Sequence, residues 1–322
     1  KNNLNVIGKY NYGKENKIIN LSIKSPKIDL TDLINVTKQK AEIKTNLKEN
    51  IKSEEIRIKK INEKDLLDEG FKKLEGFHIY TDILIEKLIY NETDLSNINL
   101  NISKKKNVDI YLKFREQEEN KVSLTSTIKP SRKTNINLSA NNIDVERYGK
   151  IYNFSFLSGN LDIEMKAYTK MLNKNKFLKE LNGKLKIQSK NAILHNVNLS
   201  KLKSNVSDIE DIKGLTSLGK DVFNGNTKIN DQKLEAEIVN GDLIISSKKI
   251  KIEDEEVLIN AKYKIAEKNL STNFSFATDT NSLLSLFNVK LEGNISNIKT
   301  AIEYDKNKAE NVVTVAAEKK IK

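Results

Sequence analysis

The chain contains no cysteine and no tryptophan, and only Pro26 and Pro130 supply proline among its 322 residues. Without cysteine there is no disulfide framework and no thiolate metal site, in whichever redox compartment the chain resides. Two prolines leave no proline-rich linker. Aromatic residues are 6% and hydrophobic residues 38% of the chain. That is a thin supply for a thick core filled from both sides, but it suits a sheet that buries one face. No apolar window approaches the ~18 residues of a membrane-crossing helix. Neither an initiating Met nor a signal-peptide pattern stands at Lys1. The chain starts inside a strand pattern and reads as a piece of a longer protein, with any membrane anchor expected outside it.

Signals for chemistry are equally sparse. His78 and His195 are the only histidines, neither stands near a cysteine, and no His-x-x-x-His pair occurs, so no metal site is expected. A catalytic triad needs one of them beside a serine and an acidic or amide partner that sequence alone does not place. No G-x-S-x-G elbow is present. Gly183, Gly214, Gly219 and Gly225 lack phosphate-loop spacing. The acidic run Glu253-Asp254-Glu255-Glu256 reads as a solvated hairpin tip that guards a sheet edge. No enzyme activity and no cofactor are expected.

The formal net charge is +12, from 56 Lys and Arg against 44 Asp and Glu. A basic balance raises the question of nucleic acid. Here the basic residues are scattered along polar strand faces, and Lys104-Lys105-Lys106 is the only basic run of three. Lysine excess also travels with asparagine and isoleucine excess, the composition of an AT-rich coding sequence. Nucleic-acid binding is therefore not expected, whereas weak attraction to anionic lipid headgroups is physically allowed.

What the chain has in quantity is alternation. Leu234, Ala236 and Ile238 alternate with Glu235 and Glu237, and Asn240-Gly241 turns the chain. Leu243 and Ile245 follow, then Ile250 and Ile252 after Ser246-Ser247-Lys248-Lys249. Val257, Ile259, Ala261, Tyr263 and Ile265 repeat the pattern, as do Leu270, Thr272, Phe274 and Phe276. Successive strand side chains point to opposite faces, so this is a meander with one apolar and one wet face. The same design runs upstream through Ile19-Leu21-Ile23, Phe77 to Ile85, Ile98-Leu100-Ile102, Val108 to Phe114, Val122-Leu124-Ile128 and Ile136-Leu138-Ala140. After Ser25-Pro26 comes Ile28-Asp29-Leu30, and Leu185 and Ile187 are strand ahead of another short strand or loop over Ala192 to Asn198.

Helical spacing is confined to short pieces. Asp29 or Thr31 is placed to cap one. Others are expected at Leu67–Leu74, at Asn142–Val145, over Met171 to Leu181, over Leu199 to Ile212, and at Ser282–Phe287. The charged stretch 38–69 reads as a loop, a poor helix or a disordered insertion. Ile19 to Asp29, Ile136 to Asp144, and Asn273 to Asp279 share a strand–Asp–helical-turn order, an echo of one reused unit. The fold class expected is mainly β: a long curved antiparallel meander, groove-like, with a few short amphipathic helices. It divides into a β-rich repeat region over 1–140 and a second region over 141–322, as one continuous sheet.

From Ile143 onward the order of elements resembles the AsmA family of envelope proteins of diderm bacteria. The carrying residues are Ile143-Asp144-Val145 ahead of Leu157-Ser158-Gly159-Asn160-Leu161-Asp162, the stretch Tyr168 to Glu180 leading into Leu181-Asn182-Gly183-Lys184-Leu185, Asn191 to Leu199, Val222-Phe223 before Asn240-Gly241-Asp242-Leu243, and the closing Leu291-Glu292-Gly293-Asn294-Ile295. The match covers about 180 residues. The chain has Asn191-Ala192 where the family often has glycine, and lacks the usual proline near the closing strand. The resemblance implies a sheet curled into a groove, facing the periplasm on a protein anchored in the inner membrane. It also implies phospholipid transport toward the outer membrane in support of outer-membrane biogenesis. The residues expected to line the groove against phospholipid acyl chains are Leu234, Ala236, Ile238, Leu243, Ile245, Ile259, Tyr263, Phe274 and Phe276, a role that rests equally on their alternation. Other envelope proteins are expected as partners. The alternatives are a structural module that modulates outer-membrane protein targeting and assembly through its sheet edges, and a surface binding module with a closed sandwich core.

Overall fold

The computed structural model describes residues 3–13, 17–30, 73–90, 93–116, 120–170, 174–207, 222–223, 225–253, 255–276 and 283–304. Its sixteen strands belong to one mainly antiparallel sheet, neighbouring strands following chain order almost throughout. The chain divides into two compact units, one of residues 1–140 with 168–177 and the other of residues 141–167 with 178–322.

The first unit carries β1 (Asn5–Tyr12), β2 (Lys17–Asp29), β3 (Phe77–Tyr90), β4 (Thr93–Lys104), β5 (Val108–Arg115), β6 (Lys121–Ile128) and most of β7 (Thr134–Asp144). Apolar residues at alternate positions, Ile and Val prominent among them, favour this pleated geometry. The pairs are antiparallel hairpins except one: β2 and β3 run parallel from Lys17↔Phe77 to Asp29↔Ile89. Parallel neighbours need a crossover of a dozen residues or more. The chain between them, with the charged stretch 38–69 and most of the helical piece expected over Leu67–Leu74, lies almost wholly outside the described residues, as does Thr31; Asp29, the other cap expected there, ends β2.

β2 does not stop at Ser25-Pro26. β2 continues through it because β1 ends opposite Lys24, so no neighbour on that side needs the missing proline N–H. Lys104 is the buried exception among the described lysines, 7% exposed. Its Nζ donates to the Phe77 carbonyl at 3.0 Å and also to Leu74 O. Burial lowers its pKa, with Glu75 pulling the other way.

In the second unit, β7 runs on to Asp144, whose side chain accepts from Arg147 N at 3.1 Å and caps helix α1 (Val145–Tyr152). The helical piece expected at Asn142–Val145 is thus strand up to the cap and helix after it. β8 (Leu157–Thr169) follows. A four-residue α2 (Lys174–Phe177), which belongs to the first unit, replaces the longer helix expected over Met171 to Leu181, of which 171–173 lie outside the described residues. β9 (Asn182–His195) is one strand where two were expected. It passes through Asn191 at φ 52, whose backbone N–H is taken up by Asp231 Oδ1 at 2.8 Å.

Helix α3 (Leu199–Ser207) begins under Asn198, whose Oδ1 accepts from Lys201 N; the expected continuation to Ile212 lies outside the described residues. Then come β10 (Asn226–Ile229), β11 (Gln232–Val239), β12 (Asp242–Ile252), β13 (Glu255–Lys264), β14 (Asn269–Phe276), a 3-10 turn at Leu283–Leu286, β15 (Phe287–Asn294) and β16 (Asn297–Tyr304). β10 and β11 lie end to end between β9 and β12. β12 also runs unbroken. Ser246 and Ser247 stand opposite Asn260 alone and form a bulge with one extra residue, with Ser247 at φ 47 and its N–H donating to Asn260 Oδ1.

Candidate functional site

Strand register decides which side chains share a face, because residues directly opposite one another point the same way. In the second unit Leu185 stands opposite Ala236 across β9 and β11, and one row runs Ile245, Ala261, Thr272, Leu291 across β12 to β15. A parallel row holds Ile238, Leu243, Tyr263 and Leu270. Another holds Ile259, Phe274, Val289 and Ile302, and the next pairs Val257 with Phe276. All nine residues expected to line a groove therefore share one face of the sheet.

Their burial is graded. Ala236, Ile238, Ile245, Ile259, Phe274 and Phe276 are buried, while Leu234, Leu243 and Tyr263 are half-buried. The buried end is occupied by the chain itself. Leu199 and Leu202 of α3, Val222, and Leu286 of the 3-10 turn join Val257, Phe274, Phe276 and Val289 in a single cluster. Thr227, fully buried, fixes the start of α3 there: its Oγ1 donates to Val197 O at 2.6 Å and accepts from Leu199 N at 2.9 Å. Lys203–Glu255 and Ser200–Glu253 contacts tie the helix to the acidic hairpin tip. At the other end of the face the Tyr263 hydroxyl keeps its proton to higher pH, because burial disfavours the phenolate.

The first unit arranges the same sequence pattern differently. Rows of opposite residues run Val6, Ile23, Ile83, Leu100, Leu112, Leu124 and Leu21, Thr81, Ile102, Ile110. From β2 to β6 these side chains are half-buried throughout, and on β1 Val6 and Tyr10 are more than half exposed. The buried hydrophobic cluster of the described residues lies entirely in the second unit. The alternation read from sequence marked these strands, but it carries no information on what packs above them; the half-exposed face is visible only once burial is known.

A mixed cleft of about 820 Å³ opens in the second unit. Asn153, in the left-handed conformation, ends α1 and turns the chain so that Phe154 N–H returns to Gly149 O at 2.8 Å. Phe154 and Phe156 then form one wall, their ring centroids 5.5 Å apart, and Ile298 adds apolar surface. Ser158, His195 and Asn226 supply polar groups to the same cleft.

No protein-family profile, no curated protein and no solved structure matches the chain. Among the described residues no helix is long and apolar enough to cross a membrane, and no group of three or more His, Cys, Asp and Glu side chains is placed to hold a metal ion.

Proposed function

We propose that the chain binds phospholipid acyl chains along the apolar face of its sheet, as an envelope protein that carries lipid between the inner and outer membranes. The observation that carries this reading is the in-register set of half-buried isoleucines and leucines from β2 to β6 of the first unit. A continuous apolar surface of this kind is unfavourable in water. Each acyl methylene laid against it contributes about 0.8 kcal/mol, so a lipid tail can do there what α3 does in the second unit. The order of elements that resembles the AsmA family supports the same reading, including a periplasm-facing location and an inner-membrane anchor outside this chain. Binding and transfer require no catalytic group.

Native mass spectrometry of the purified protein is the direct test. Co-purified phospholipid is expected, and Ile110→Asp, a charge in the middle of the face, is expected to abolish it while the thermal unfolding midpoint falls only slightly. Lipid-free wild-type protein, or unchanged lipid in Ile110→Asp, would overturn the reading.

A second reading, a module that helps outer-membrane proteins assemble, is favoured by one observation. All eight residues of β1 are exposed, with Val6, Ile7, Tyr10 and Tyr12 between 51% and 74% accessible. Such an edge can accept an incoming strand. Photo-crosslinking from Ile7 to outer-membrane protein precursors, with no lipid bound, would favour it.

A further inference from the structure

Three strands of the second unit place a serine, a histidine and an amide in one line. His195 Nε2 stands 2.8 Å from Ser158 Oγ, and His195 Nδ1 stands 3.0 Å from Asn226 Oδ1. Asn226 lies directly opposite His195 in the β9–β10 pair, and the His195 N–H donates to Phe156 O at 2.9 Å, which fixes β8 on the other side. Alternation sends Leu194 and Thr227 into the core and leaves His195 and Asn226 on the opposite face. Ser158 is followed by Gly159 at φ +106, where a Cβ would sit 2.6 Å from Asn191 O and 2.7 Å from Ala192 Cα. Glycine is therefore required for β8 to approach β9 closely enough to make the Ser158–His195 contact.

One tautomer of His195 satisfies both contacts. Asn226 Oδ1 can only accept, so the Nδ1 facing it carries the hydrogen, and Nε2 is left with its lone pair toward the Ser158 hydroxyl. That is the arrangement of a nucleophile, a base and a group that orients the base. All three line the 820 Å³ cleft, beside the apolar wall of Phe154 and Phe156.

We infer that Ser158, His195 and Asn226 form a nucleophilic centre that cleaves carboxylic esters bearing an apolar acyl group, with Ser158 as nucleophile, His195 as base and Asn226 as the positioning residue. This goes beyond lipid binding and departs from the expectation of no enzyme activity. It does not rest on the apolar face of the first unit.

In the first half-reaction Ser158 Oγ bonds to the ester carbonyl carbon as its proton passes to His195 Nε2. The carbonyl π pair moves onto oxygen. When that pair returns, the carbon–alkoxy bond breaks and the departing oxygen takes the proton from Nε2, giving free alcohol and acyl-Ser158. Water repeats the sequence: it adds to the acyl carbon, its proton passes to Nε2 and on to Ser158 Oγ, and the carboxylic acid leaves. Ester and water become acid and alcohol, with no other reactant.

The test uses a fluorophosphonate, which phosphonylates an activated serine, read by intact-mass and peptide mass spectrometry. One adduct on Ser158 is expected, absent in Ser158→Ala. His195→Ala is expected to slow labelling about a hundredfold or more. Asn226→Ala should slow it less, and Asn226→Asp, which keeps an acceptor opposite Nδ1, should restore it. Because the chain has no cysteine, Ser158→Cys supplies a second measure that does not depend on Ser158→Ala folding. Its single thiol is expected to react with iodoacetamide about tenfold faster than in Ser158→Cys/His195→Ala. An unlabelled wild-type protein beside a labelled control hydrolase, an adduct elsewhere, or labelling and alkylation rates unchanged by removing His195 would each overturn the assignment.

Discussion

The two units spend the same alternating pattern in different ways. In the second, the apolar face is roofed at one end by α3 and the 3-10 turn, and Leu202, Val222, Val257 and Val289 have no exposed surface at all. In the first, the equivalent rows across β2 to β6 stay half-buried. Glycines tell the same story. A Cβ on Gly8 of the first unit would meet nothing within 4 Å, whereas one on Gly183 of the second would lie 2.6 Å from Ala167 Cα. One face is packed like a domain core and the other is left half-exposed. Periodicity alone does not distinguish them.

The sharpest way to break this contrast is a charge placed on each face. Ile245→Asp buries an unpaired carboxylate in the closed cluster and is expected to cost about 3–5 kcal/mol, read by chemical denaturation. Ile110→Asp, where water reaches the side chain, is expected to cost under about 2 kcal/mol. Equal costs would mean that the first face is closed as well.

Next comes backbone proximity. Gly183→Ala forces β9 away from Ala167 and should lose about 1–3 kcal/mol, while Gly8→Ala should stay within about 0.5 kcal/mol of the parent.

The smallest effect is electrostatic. Asp162 accepts from Lys190 Nζ at 2.6 Å and from Asn142 N at 2.7 Å. Burial pushes its pKa up, but these bonds more than reverse that, so it lies below the usual carboxylate value. A carboxyl whose folded pKa is depressed stabilises above its unfolded value, near 3.9, and loses that contribution as pH falls through the folded value. The difference in unfolding midpoint between the parent and Asp162→Asn should therefore be present at pH 6 and shrink below about pH 4. The exposed Lys87–Asp94 pair of the first unit, at 2.7 Å, should give a change within about 0.5 kcal/mol when Asp94 becomes Asn.

Strand identity was legible in the sequence because period-two alternation is a local property; Val108 to Phe114 and Val257 to Tyr263 were read directly from it. Continuity was not. Pro26, Asn191 and Ser246-Ser247 look like terminators, yet each is absorbed where a neighbour is absent, a side chain takes over the hydrogen bond, or a bulge forms. Partner choice was also illegible: nothing local to Ile19 or Ile79 says that they lie side by side in parallel. The nine residues expected on one face do share it, since a correct strand phase fixes the face. What covers that face depends on where α3 docks, and that is set by Thr227 and Val222, far from the alternating rows. The line of Ser158, His195 and Asn226 left no trace in sequence, because it is written across three strands separated by 37 and 31 residues.

The end-to-end placement of β10 and β11 has a mechanical corollary. Their junction at Asn230-Asp231 is laced by side chains: Asn230 Nδ2 reaches Glu253 O at 3.0 Å, and Lys251 N reaches Gln232 Oε1 at 3.1 Å. Two short planks, unlike one long one, can each follow the local pitch of their neighbours. The nick lets the long strands on either side coil without tearing a continuous backbone ladder, and the amide lacing keeps the joint from becoming a free edge.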